Sequence, residues 1–203
     1  MSALQRMVMG VDLLNRYIGF VLKWMLLIAT ILSATNAVTR KAFDISSNGM
    51  LEAQWYLYSA VFLLGGAYCF QKNGHVRIDF MANKLGAKGR NIVDVFGIGL
   101  ILIPFCIFMI SLSWGFFLNA WVTNEMSSNA GGLMRWPAYL LIPAGFFLLL
   151  LQATAELVKR LLFLTGKADD PIRDVEQDET PLVLKDDPVS LETQGLGTDG
   201  RAQ

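Results

Sequence analysis

The sequence predicts an all-α integral membrane protein with four transmembrane helices and both termini in the cytoplasm. Amphipathic surface helices are expected at the N-terminus and between helices 2 and 3. Three observations carry this. Of 203 residues, 54% are apolar and only 17% charged, with a mean hydropathy of +0.44, which is too oily for a water-soluble globule. Four apolar runs reach the roughly 20 residues that a helix needs to cross about 30 Å of hydrocarbon. The basic residues also gather on one side of those runs.

Residues 1–16 read as a helix lying on the inner leaflet. Leu4, Met7, Val8, Val11 and Leu14 recur on one face, with Gln5, Arg6, Asp12 and Arg16 mostly opposite. The first run, Tyr17–Val38, follows Arg6 and Arg16 as a secretory signal would. It is longer than a signal core, contains Lys23, and ends in Ser33-Ala34-Thr35-Asn36-Ala37 without a convincing cleavage site, so retention is expected.

The second run is Leu51–Phe70. After it, Ile78, Met81, Ala82 and Leu85 repeat at helical spacing between Arg77 and Lys88, which predicts a second surface helix. The third run, Ile92–Val122, is long enough to tilt, project or bend. A kink is expected at Pro104, which lacks the N–H for one helical bond and crowds the preceding turn. The fourth run is Pro137–Leu164. Residues 165–203 turn to Asp, Glu, Pro, Thr and Gly and read as an acidic, disordered cytoplasmic tail. The organisation is therefore an amphipathic segment (1–16), a transmembrane domain (17–164) and a tail (165–203).

Orientation follows from the short flanks. Arg6 and Arg16, then Lys72, Arg77, Lys84, Lys88 and Arg90, then Lys159, Arg160, Lys167 and Arg173 fall on one side, against Arg40, Lys41 and Arg135 on the other. Positive charge marks the cytoplasmic face. The loops at 39–50 and 123–136 then face the periplasm of a bacterial inner membrane.

Chemistry is bounded by one histidine, His75, and two cysteines, Cys69 and Cys106. A bis-histidine haem or a zinc site cannot be assembled from that set, and the chain is expected to be no enzyme and to carry no cofactor. Nor is a nucleic-acid partner expected; membrane lipid is. Ionisable groups at mid-membrane depth mark transport paths, yet here each sits near a helix end. Lys23 can snorkel, Glu52 and Asp94 open their helices, and Glu156 lies three and four residues before Lys159 and Arg160, the favourable order for helical ion pairs.

Small residues recur instead: Ala29, Ser33 and Ala37; Ala53, Ala60 and Ala67; Gly97, Pro104, Ser111 and Gly115. Such seams let helix backbones approach closely, either among these four helices or against a larger membrane partner. Trp55, Tyr56 and Tyr58, then Trp114 and Trp121, then Trp136 and Tyr139 mark the outer interface. Between the last two groups lies a turn-rich loop, Asn124–Arg135, leading into a helix with Pro137 in its first turn.

The run Gly74-His75-Val76-Arg77-Ile78-Asp79, Pro104-Phe105, and Ala130-Gly131-Gly132-Leu133-Met134-Arg135-Trp136-Pro137 with Leu141-Ile142-Pro143 resemble, in that order, the small permease (Q-type) subunit of tripartite ATP-independent periplasmic (TRAP) transporters. More narrowly, the chain is similar to the mannitol/chloroaromatic type. The resemblance covers residues 1–162. It implies a large permease subunit that moves substrate by a sodium-driven elevator motion, a periplasmic solute-binding protein, and this chain as a non-catalytic scaffold for organic-acid uptake.

The resemblance also implies site residues. Glu52 and Trp55 stand at the acidic and aromatic positions opening the second helix. Gly74, His75, Arg77 and Asp79 match the inner-loop signature, and Gly131, Gly132, Arg135, Trp136 and Pro137 the outer one. Arg40, Lys41, Asp44, Glu125 and Arg135 are candidates for meeting the solute-binding protein, and Ala60 and Gly97 for close helix contact. Rival readings are a haem-bearing anchor or other membrane enzyme, an anchor subunit of another membrane complex, and a small carrier acting alone as a homodimer.

Overall fold

The computed structural model describes residues 3–44, 47–72 and 86–166, and every regular element among them is a helix. These are α1 (Ala3–Phe43), α2 (Asn48–Gln71), α3 (Gly86–Phe96), a π-helical turn (Gly97–Leu102), α4 (Ile103–Val122) and α5 (Trp136–Leu164). The inner-loop signature Gly74, His75, Arg77 and Asp79, the second surface segment and the acidic tail from residue 167 lie outside the described residues.

Among the described residues, three stretches are long and apolar enough to cross a membrane: Arg6–Phe43, Lys88–Val122 and Trp136–Leu164. Helix α2 has 24 residues, about 36 Å at 1.5 Å per residue, but Glu52, Gln54 and its tyrosines dilute its apolar content below that of the other three. No break separates the amphipathic 3–16 segment from the apolar run that follows. Helix α1 is continuous over 41 residues, about 61 Å.

Around Pro104 the chain solves its steric problem by widening the helix. The N–H of Ile103 reaches the carbonyl of Ile98, five residues back, so the turn before the proline is π-helical and α4 starts with Pro104 in its first turn. A proline crowds the carbonyl four residues earlier, and a π turn is a common way to absorb that. The distortion expected at Pro104 thus falls in the preceding six residues.

Helix α5 is the hub. It packs on α1, α2, α3 and α4, whereas α2 sits between α1 and α5 and makes no contact with α4. Small side chains make the interfaces: Ala29, Ala60, Ala67, Ala120, Ala153 and Ala155 are buried. At Gly145 the backbones of α5 and α2 come so close that a β-carbon would stand 2.7 Å from the Leu63 carbonyl oxygen. Gly19 seats the Tyr68 ring in the same way, at 2.7 Å. This is how helices associate where lipid offers no hydrophobic drive.

The seams divide. Ala29, Ala60 and Ala67 are in the core as a packing seam requires, but Ala37, Pro104, Ser111 and Gly115 are exposed, and a β-carbon at Gly97 or Gly115 would meet nothing within 4 Å. On α4 the buried residues are Cys106, Ser113 and Ala120, spaced seven apart on another face. That face meets α5, with Phe105 and Phe146 edge to face at 5.7 Å beside it.

Candidate functional site

Two polar layers bracket the apolar middle of the bundle. The outer one is built by the loop between α4 and α5. Helix α4 ends in a Schellman turn: the Glu125 N–H donates to the Ala120 carbonyl at 3.1 Å and that of Asn124 to Trp121 at 3.4 Å, with Asn124 in the left-handed region at φ 48°. The chain then doubles back as a short hairpin. Met126 and Met134 form an antiparallel bridge, Ser127 N–H donates to the Leu133 carbonyl at 3.0 Å, and Gly132 N–H donates to Asn129 at 3.0 Å. Gly131 turns the tip at φ 72°, a conformation that favours a residue without a β-carbon.

Helix α2 holds this hairpin through one carboxylate. Glu52 is buried, and its Oε1 accepts from the Ser127 hydroxyl and, at 2.9 Å, from Asn129 Nδ2, while Oε2 accepts from the Leu133 backbone N–H at 2.6 Å. Two further bonds lie alongside, from Asn48 Nδ2 to the Ala130 carbonyl and from the Tyr56 hydroxyl to the Met134 carbonyl, both 3.0 Å. Gly49 allows the approach, since a β-carbon there would stand 2.9 Å from the Gly131 oxygen. Gly132 is equally constrained, because its β-carbon would meet that of Ser127 at 2.5 Å.

Arg135 closes the hairpin onto α5. Its guanidinium pairs with Glu125 at 3.0 Å, and its backbone N–H donates to the Glu125 carbonyl at 2.9 Å. Hydrogen bonds with Tyr139 and Glu125 raise the guanidinium above its ordinary value. Trp136 and Trp121 meet edge to face at 4.7 Å under the loop. A recess of about 240 Å³ opens between Glu52, Tyr56, Arg135 and Tyr139, with Trp55 on its wall. Of the sequence candidates, Glu52, Gly131, Gly132, Glu125, Arg135 and Trp136 converge here, and Trp55 borders them. Arg40 is exposed in the last turn of α1, Ala60 is buried between helices, and Gly97 lies on the far face of the third span.

The inner layer was only partly visible in the sequence. Glu156 pairs with Lys159 at 2.8 Å and with Arg160 at 2.5 Å, as their spacing predicts. The structure adds partners from three other helices. Lys159 also meets Asp12 of α1 at 2.8 Å, and Arg160, 1% exposed, meets Asp94 of α3 at 3.1 Å. Gln152, fully buried, receives Asn15 Nδ2 at 2.7 Å and donates to Asp12 and Glu156 at 3.0 and 3.2 Å. Gln71 of α2 donates to the Asp12 carbonyl at 3.0 Å. Buried charges tolerate such a place when each is paired and hydrogen-bonded.

The layers are evenly separated. Asn15 to Asn36 on α1, Glu52 to Gln71 on α2, and Trp136 to Glu156 on α5 each span about 30 Å of helix, the thickness of the hydrocarbon core. More than one turn inside them, Lys23 is the single charged side chain among the described residues, and it is exposed on α1. The site thus offers a rigid outer loop and clamped helix ends. Among the described residues no group of His, Cys, Asp and Glu could hold a metal ion.

A family model described as the DctQ component of tripartite ATP-independent periplasmic transporters matches residues 28–163. No curated protein and no solved structure matches the chain.

Proposed function

The chain belongs to the DctQ-component family of tripartite ATP-independent periplasmic transporters, a family of small membrane subunits and not of enzymes, and on that premise we propose that it scaffolds the large permease subunit without conducting solute itself. The observation that carries this reading is the apolar stretch between the two polar layers. A path for an ion-coupled solute needs polar groups at mid-membrane depth, and the described helices place their charges at the two ends, apart from Lys23, which faces outward from α1 and not into the bundle.

The same layers support a fourth crossing. Helix α2 reaches from Glu52 to Gln71, about 29 Å, alongside α1 and α5, so it spans the bilayer with them despite its lower apolar content. With Lys159 and Arg160 at one end and the Glu52 hairpin at the other, both termini are cytoplasmic and the hairpin is periplasmic in a bacterial inner membrane. There the hairpin docks the solute-binding protein. The transported solute is an organic acid, taken up by the large subunit on a sodium gradient, and the subfamily is the mannitol/chloroaromatic type. The first turns of α1, residues 3–14, continue the spanning helix past the inner polar layer on the cytoplasmic side.

Co-purification tests the proposal. An affinity-tagged chain expressed with its transporter operon is expected to emerge from mild detergent with the large subunit bound. Proteoliposomes holding this chain alone are expected to accumulate no labelled carboxylate under an imposed sodium gradient. Uptake by the chain alone would overturn the reading.

A further inference from the structure

At the hairpin end of the bundle, where α2 and α5 meet, the recess of about 240 Å³ brings together the Glu52 carboxylate, the Arg135 guanidinium and the rings of Trp55, Tyr56 and Tyr139. We infer that it holds the headgroup of a phospholipid from the adjoining leaflet, one that carries a primary ammonium beside its phosphate, as phosphatidylethanolamine does.

Both signs of charge have a place in the recess. The Arg135 side chain is 37% exposed and pairs with Glu125 through Nη1, so its fork of N–H donors has others for a phosphate oxygen. Oε2 of Glu52 accepts the Leu133 N–H and keeps a lone pair for an ammonium N–H. Trp55, 64% exposed, borders the same space with Tyr56 and Tyr139, and such rings attract a cation held over their faces. An anion alone would meet the Glu52 carboxylate, and a cation alone the Arg135 guanidinium. A zwitterion suits both.

Depth and shape favour a lipid over a soluble zwitterion. The recess lies at the level of the outer polar layer, where headgroups sit and amphipathic rings anchor. It is smaller than the roughly 300 Å³ at which pockets for drug-sized molecules begin. Below it the two walls turn apolar on the same flank: Phe62 follows Trp55 by seven residues on α2, and Phe146 follows Tyr139 by seven on α5, about 10 Å deeper along each helix. Seven residues return a helix to nearly the same face, so acyl chains hanging from the recess run between apolar walls.

Native mass spectrometry of the full chain, released from mild detergent with phosphatidylethanolamine and phosphatidylglycerol added in equal amounts, reads the site. The chain is expected to retain the first in preference to the second. Trp55→Ala is expected to cut that retention about fivefold, the scale of one cation–π contact, and Arg135→Gln about tenfold or more through loss of a charge-assisted bond to phosphate. Trp24→Ala, at an exposed ring on α1, is expected to leave it unchanged.

Equal retention of the two lipids overturns the inference, and so does retention indifferent to both Trp55→Ala and Arg135→Gln. Soluble glycerophosphoethanolamine that displaces the lipid at equal concentration makes this a site for a free zwitterion, which also overturns it. Should Arg135→Gln not fold, Trp55→Ala decides, because that ring is mostly exposed and carries little packing. None of these outcomes depends on the large subunit, so the scaffold reading stands or falls separately.

Discussion

Glu52 in the first turns of α2 and Leu133 in the loop before α5 lie 81 residues apart and meet through a 2.6 Å bond from the Leu133 backbone N–H to the carboxylate. One buried side chain thereby fixes a loop that belongs to two other helices. A carboxylate suits this role because both its oxygens accept, and bonds to a charged acceptor are about twice as strong as neutral ones.

Removing that acceptor frees the hairpin without touching the bundle. In Glu52→Ala the Leu133 amide is expected to exchange with solvent about tenfold faster, the scale of one lost charge-assisted bond, and amides of α5 to be unchanged. Hydrogen exchange followed by mass spectrometry reads both, and equal protection of Leu133 in the variant would contradict the clamp.

Glycine substitutions separate tight helix contact from open surface. Gly145→Ala forces a β-carbon against the Leu63 carbonyl and is expected to destabilise by about 1–3 kcal/mol. Gly115→Ala meets nothing and gains up to about 1 kcal/mol of helix propensity. Unfolding in mixed micelles checks the opposite signs.

Arg160 holds the inner layer. Arg160→Met strips Glu156 and Asp94 of a buried partner and is expected to cost about 3 kcal/mol or more. Adding Glu156→Gln to that variant is expected to recover part of the loss, since Asp12, Asp94 and Glu156 would otherwise share one cation fewer, and the excess of negative charge that this creates is then reduced. The same unfolding assay measures the coupling, and strictly additive losses would show the pair to be independent.

Orientation has a direct readout. On a Cys69→Ser, Cys106→Ala background, a thiol introduced by Asn129→Cys is expected to react with an impermeant maleimide added to intact spheroplasts. One introduced by Thr165→Cys is expected to react only after permeabilisation. The reverse pattern would invert the proposed topology.

Legibility in the sequence followed the range of the interaction. Hydropathy, the proline in the first turn of α4 and the Glu156–Lys159–Arg160 spacing are local signals, and three spans, the distortion near Pro104 and those ion pairs all appear in the fold. The turn-rich composition of 124–135 also announced a defined loop. Register between helices is not a local property, so nothing in the residue pattern revealed that Glu52 would reach Ser127 and Leu133, or that Gln152 would join Asn15 across 137 residues.

What the sequence determined by itself is how much of the chain is apolar and helical and where each helix turns polar, because burial in hydrocarbon acts on every residue separately. Only the tertiary structure decided that α4 turns Cys106, Ser113 and Ala120 inward and its Pro104, Ser111 and Gly115 side outward. In lipid both faces of a helix are equally well solvated, so hydrophobicity cannot choose between them. The fit of one helix's small residues into another's surface makes that choice.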